Sequence, residues 1–194
     1  LSWRHQLKFL GELGYHAIAP DMRGYGRSSV YKNHEAYSQR EINIDMVELF
    51  NSLGKDRAIW IGHDWGSPVA WNMALHHPDK VRAVGSLCVP FGFGGHPEGL
   101  LNTVNREIYP TGEFPAGQWD YQFYYYEDFD AAQKEMDEDP YKLVKALFTK
   151  GDPLGKGLPA FTSQVRKNKG WFAEFGGVPD LPIDEEVISE EEVR

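Results

Sequence analysis

Three short apolar runs constrain what this chain can fold into. They are "YHAIAP" at 15–20, "RAIWIG" at 57–62 and "RAVGSLCV" at 82–89. Each has the length of a strand and lacks the strict polar alternation of a sheet with one wet face. Between and before them lie stretches with helical spacing. In "LSWRHQLKFLGELG", Trp3, Leu7 and Leu10 fall on one face and Gly14 supplies the C-terminal stop. Ser38 and Glu41 form a capping box ahead of "EINIDMVELFNSLG", where Ile42, Met46, Leu49, Phe50 and Leu53 share a face and Gly54 ends the helix. "SPVAWNMALHHPD" carries Pro68 in its first turn and Pro78 as its stop. The order is helix, strand, helix, strand, helix, strand. Continuous apolar strands alternating with helices predict a parallel sheet covered on both faces, an α/β fold over residues 1–90.

After Pro90 the pattern stops. A Gly/Pro-rich exit, "PFGFGGHPEG", leads to the aromatic cluster "WDYQFYYYEDF" and to helical stretches at "DAAQKEMDED" and "YKLVKALFTKG". Residues 91–194 are therefore expected to form a mostly helical second unit. A net charge of −9 argues against a nucleic-acid or anionic-membrane partner. No apolar stretch is long enough to span a bilayer. Cys88 is the only cysteine, so neither an intramolecular disulfide nor a cysteine metal site is possible. It reads as a buried strand residue, and a reducing, cytoplasmic compartment fits it. The chain opens inside a helical pattern at Leu1. It closes on a capping box, Ser189 with Glu192, stapled by Ile188 and Val193. Both ends predict an internal segment of a longer protein.

The chemistry concentrates at "IWIGHDWGSPVAW", residues 59–71. Asp64 stands between Gly62 and Gly66, where a strand ends and a helix begins. A plain turn would take Asp as well. The glycines favour the sharper reading, a nucleophile elbow, in which strand and helix approach too closely for side chains. There the helix N-terminus favours an ionised carboxylate. The Trp65 N–H would then donate to a developing oxyanion. The Trp65 indole reads as core packing or as a pocket wall.

The run "GHDWGS", with "APDMRGYGRSS" before it, resembles the α/β-hydrolase superfamily members that use Asp in place of Ser: the epoxide hydrolases and haloalkane dehalogenases. "WDYQFYYYEDFDAAQKEMDEDP" looks more like the cap of the epoxide hydrolases. The resemblance is strong from Trp3 to Pro90 and weaker beyond. It implies an α/β-hydrolase core carrying a helical cap, an alkyl–enzyme ester on Asp64, and hydrolysis of that ester by water. It also implies that Tyr121 gives a proton to the epoxide oxygen and that Gln122 contacts substrate. The substrate would be a small hydrophobic epoxide, with no cofactor.

A carboxylate suits attack at saturated carbon, because it is already ionised and needs no base for that step. The leaving group separates the two chemistries. A halide leaves as a stable anion, whereas an epoxide oxygen leaves as a strongly basic alkoxide and needs an acid. A tyrosine at 121 therefore favours an epoxide. The runner-up readings are a haloalkane dehalogenase and a non-catalytic relative that binds a hydrophobic ligand. The family's oxyanion loop, second cap tyrosine, catalytic acid and base histidine have no match in residues 1–194, nor has the strand that lies between 15–20 and 57–62 in its sheet. The segment by itself is accordingly expected to be inactive. His63 reads as a packed structural histidine, and none of the other histidines has a catalytic pattern.

Overall fold

The structure, a computed structural model, describes residues 2–92 and 97–193. It divides into two compact units, Leu1–Phe93 and Gly94–Arg194. In the first, helix α1 (Arg4–Glu12) leaves Trp3, Leu7 and Leu10 half-buried, as its spacing predicts. Gly14 follows at φ 85°, a left-handed backbone that suits glycine. Helix α2 (Gln39–Ser52) is capped by Ser38, whose hydroxyl accepts the Glu41 N–H at 3.4 Å. Only this half of the capping box forms. The Glu41 carboxylate lies 3.8 Å from the Arg23 guanidinium instead.

Strand β1 (Ala58–His63), helix α3 (Gly66–His76) and strand β2 (Val81–Leu87) follow, and the two strands pair in parallel with Ile61 opposite Gly85 and His63 opposite Leu87. Parallel neighbours need a crossover, and α3 provides it. Met46 of α2 and Val69 and Met73 of α3 form the core, with Met22, Ile42, Val47, Trp60 and Val81 packed around them. Asn43, buried on the same helix face, donates its amide to the Val69 carbonyl at 3.1 Å. This polar tie between α2 and α3 does not show in the hydrophobic spacing.

Three expectations need correction. Residues 15–20 form no strand. A strand exists only through its ladder, and no described segment supplies a partner for this one. Among the described residues of the first unit, helices pack on one face of the sheet. Trp60 and Gly62 point to the helices, while Ile59, Ile61 and Leu87 are 46%, 45% and 47% exposed. Apolar residues on both faces of a strand leave one face bare when only one layer of helices packs on it. Cys88 is exposed and lies just past β2 at φ 73°, where the chain leaves the sheet.

In the loop after residue 20, Asp21 and Arg23 bond to separate partners. The Asp21 carboxylate accepts the Arg27 N–H at 3.2 Å. Arg23 donates twice to Asp45 of α2, at 2.6 and 2.7 Å, and also to the Ala36 carbonyl. That carboxylate holds the guanidinium above its ordinary pKa.

The second unit is helical throughout its regular structure. It contains α4 (Pro97–Leu100), α5 (Asp120–Glu127), α6 (Phe129–Glu138), α7 (Pro140–Leu147), α8 (Val165–Asn168) and α9 (Glu190–Val193), joined by short 3₁₀ turns. Asp128 and Asp139 cap α6 and α7, accepting the N–H groups of Ala131 and Lys142 at 3.3 and 3.0 Å. At α9 the Glu192 carboxylate accepts the Ser189 N–H at 2.9 Å, the half of a capping box that α2 lacks. One core gathers Val104, Tyr109 and Phe114. A second gathers Tyr124, Ala132 and Val165, with Tyr121, Tyr125 and Trp171 packed against it.

Candidate active site

β1 delivers the chain to a corner at His63–Asp64. Asp64 has φ 51°, a left-handed backbone that a side chain adopts at a cost of roughly 1–2 kcal/mol. Asp is among the residues that tolerate it. The corner is sharp because Gly62 allows it. A methyl group on Gly62 would lie 2.1 Å from the Gly66 carbonyl oxygen and 2.6 Å from the Ser67 Cα. Both are backbone atoms that cannot swing away. Gly66 does not meet the same expectation, since a methyl group there would touch nothing within 4 Å. Close approach is demanded on the strand side of the turn alone.

The Asp64 carboxylate is presented outward. Its Oδ2 accepts the Trp65 backbone N–H at 2.7 Å, at the entry to α3. The Asp64 carbonyl accepts the Ser67 N–H at 2.9 Å, and the Asp64 N–H donates to the Leu87 carbonyl at 3.2 Å. Trp65 is 58% exposed, so it is no core residue of its unit. His63 is exposed as well, so the packed structural role expected for it is not realised.

Ser67 completes the corner and was not singled out by the motif. It is fully buried, and its hydroxyl stands 3.0 Å from both the Gly62 and the Leu87 carbonyls. The side chain thus ties the elbow to the end of the neighbouring strand. The small residue after the second glycine was the available signal. Its partner at Leu87 lies 20 residues away and has no local signature.

Tyr121 and Gln122 belong to the second unit, in the first turn of α5. The Gln122 amide donates to the Tyr121 hydroxyl oxygen at 3.1 Å, which leaves the phenol proton free for another acceptor. The Tyr121 ring meets Tyr125 edge-on at 5.6 Å and Trp171 at 5.4 Å. Tyr125 stacks on Trp171 at 6.1 Å. Burial pushes the Tyr125 phenol well above its ordinary pKa and raises Tyr124 as well, helped by the Glu135 carboxylate. Tyr124 is a core residue that donates to the Lys169 carbonyl at 3.3 Å, whereas Tyr126 is 67% exposed. Asp120, just before Tyr121, is buried and accepts the Arg166 backbone N–H and Nε, both at 2.8 Å.

Among the described residues no group of three or more His, Cys, Asp and Glu side chains could hold a metal ion. Among the same residues no helix is long and apolar enough to cross a membrane.

A strained acidic corner between a parallel strand and its crossover helix defines a class. The chain belongs to the alpha/beta hydrolase fold family, whose sequence pattern matches residues 1–162. Within that family, its relatives include epoxide hydrolases. It is 37% identical over 194 residues to epoxide hydrolase A of Mycobacterium tuberculosis, covering 99% of this chain and 56% of that protein. It is 46% identical over 173 residues to epoxide hydrolase 2 of Siraitia grosvenorii, covering 89% of this chain and 50% of that one. The crystal structure of epoxide hydrolase A from Mycobacterium thermoresistibile matches with a TM-score of 0.71 at 30% identity, over 99% of this chain and 56% of that chain. The chain thus spans about half the length of these relatives.

Proposed function

We propose that this chain carries the nucleophile and one proton donor of an epoxide hydrolase. Residues 1–90 serve as part of an α/β-hydrolase core and 91–194 as its helical cap. The observation that carries the reading is the Trp65 N–H held on Asp64 Oδ2 at a corner with φ 51°. That arrangement leaves Oδ1 as the attacking atom. Oδ1 bonds to an epoxide carbon, the epoxide C–O bond breaks, and its electron pair stays on oxygen. Tyr121 gives its proton to that oxygen, and the Gln122 amide supports the charge left on the phenol. Water then adds to the Asp64 carboxyl carbon. The negative charge develops on Oδ2, where the Trp65 N–H already donates. Collapse breaks the bond between that carbon and Oδ1, which takes one proton of the water and leaves in the vicinal diol. The other water proton returns to the Tyr121 phenolate, and the water oxygen stays in the Asp64 carboxylate.

The substrate in this reading is a small hydrophobic epoxide, and no cofactor enters the cycle. The second step needs a base to activate water. Asp64 has no histidine bonded to it among the described residues. Residues 1–194 alone are therefore expected to give no diol.

Single-turnover hydrolysis by the full-length protein in ¹⁸O-water tests the ester. Label should enter the Asp64 carboxylate and not the first diol released. Asp64→Asn, which keeps the shape and tolerates the positive φ, should abolish both label and diol. Tyr121→Phe should slow epoxide opening by about 10²-fold or more. Label appearing first in the diol would refute the ester, and normal opening by Tyr121→Phe would remove the proton-donor role.

A further inference from the structure

We propose that Glu135 is a positioning residue for Tyr121, acting through Trp171. The inference rests on Tyr121 being the proton donor, so it concerns the same reaction.

Glu135 lies on α6, half-buried, and both of its carboxylate oxygens are used on one turn of backbone. Oε2 accepts the Trp171 N–H and Oε1 accepts the Phe172 N–H, each at 2.9 Å. The residue before them is a glycine, and a methyl group on Gly170 would lie 2.9 Å from Glu135 Oε1. The carboxylate therefore fills the hollow beside the turn. Among the described residues it forms no ion pair with a cation, so its charge is spent on two backbone donors. Charge-assisted bonds of this kind are about twice as strong as neutral ones.

What they hold in place is the Trp171 indole. Its backbone is fixed by Glu135, and the next residue, Phe172, is anchored in the interior at 5% exposure. The indole in turn meets the Tyr121 ring at 5.4 Å, inclined at 64°, and stacks on Tyr125 at 6.1 Å. Tyr125 closes the triangle, edge-on to Tyr121 at 5.6 Å. Two side-chain torsions place the Tyr121 ring, and these two neighbours pack against it, one on the same helix and one 50 residues on. If the Trp171 turn relaxes, the ring that packs against Tyr121 moves and the phenol follows. Misplacement of a reacting group by about 1 Å can cost on the order of 10²-fold in rate.

Glu135→Gln keeps the shape but replaces one acceptor oxygen by an NH₂ group facing a backbone N–H. In the full-length protein it should lower kcat for epoxide opening by about tenfold or more while KM stays within about twofold. In a Tyr121→Phe background it should have no further effect on kcat, because the group it positions is gone. Equal, independent losses in the two backgrounds would overturn the proposal and leave Glu135 a general stabiliser. A ¹⁹F label on Tyr121, introduced as 3-fluorotyrosine, gives a readout that needs no turnover. Its resonance should shift in Glu135→Gln, and an unchanged resonance would also overturn the proposal. If Glu135→Gln does not fold, Glu135→Asp serves, since it keeps both acceptors one methylene further away. Absence of epoxide opening in the unmodified protein would refute the proposed function, and the ¹⁹F comparison would still decide the positioning.

Discussion

At Asp64, two requirements compete. The backbone turns left-handed, at φ 51°, and the proposed ester chemistry needs the side chain to stay a carboxylate. Glycine would relieve the first and abolish the second. The strain is met by neighbours rather than removed. Trp65 N–H, Ser67 N–H, the Leu87 carbonyl and the Ser67 hydroxyl all bind within the corner. Gly62 carries the steric part. Gly62→Ala forces a methyl into the Gly66 and Ser67 backbone at 2.1 and 2.6 Å. It should destabilise the first unit by about 1–3 kcal/mol or more. A thermal melt measures this, and an unchanged midpoint would show that the elbow opens freely. Gly66→Ala, with open space around it, is the control. The motif marked both glycines, but one-dimensional spacing cannot say which side of a turn is crowded.

Helices and strands were legible to different degrees. The spans of α2, β1, α3 and β2 lie close to the expected ones because periodicity and caps are local signals. Ser38 shows this at the start of α2, where its hydroxyl takes the Glu41 N–H. Ser38→Ala should cost about 0.5–1 kcal/mol, readable in denaturant melts as a lower midpoint at constant m-value. No loss would mean that the 3.4 Å contact contributes nothing. Residues 15–20 show the converse. Their apolar composition suits a strand, but strand formation depends on a partner that local sequence does not supply. The ties that orient α5 are equally non-local. Asp120 meets Arg166 across 46 residues and Glu135 meets Trp171 across 36.

For the molecule as a whole, stability should decline at alkaline pH. Burial raises the pKa of the Tyr124 and Tyr125 phenols. Below about pH 10, the ordinary phenol pKa, both states hold these protons and nothing is lost. Above it the unfolded chain releases them first, so it binds fewer protons than the folded chain and unfolding becomes easier as pH rises. Denaturant midpoints should hold up to about pH 10 and fall above it, and Tyr125→Phe should flatten that fall. A flat profile in the unsubstituted protein would show that these phenols ionise without cost. The second unit carries this dependence, since both tyrosines belong to its aromatic core.

The sequence by itself determined the parallel strand–helix–strand unit, the acidic elbow and its fold family, because each is written in spacing over a few residues. Only the tertiary structure decided the rest. It assigned the crowding to Gly62, buried Ser67 as the brace of the corner, left Ile59 and Ile61 bare, and set Trp171 and Glu135 behind Tyr121. The physical reason is the same in each case. Close approach, burial and a carboxylate shared between distant N–H groups are properties of where the chain returns to itself, and that return is fixed by packing rather than by neighbours in sequence.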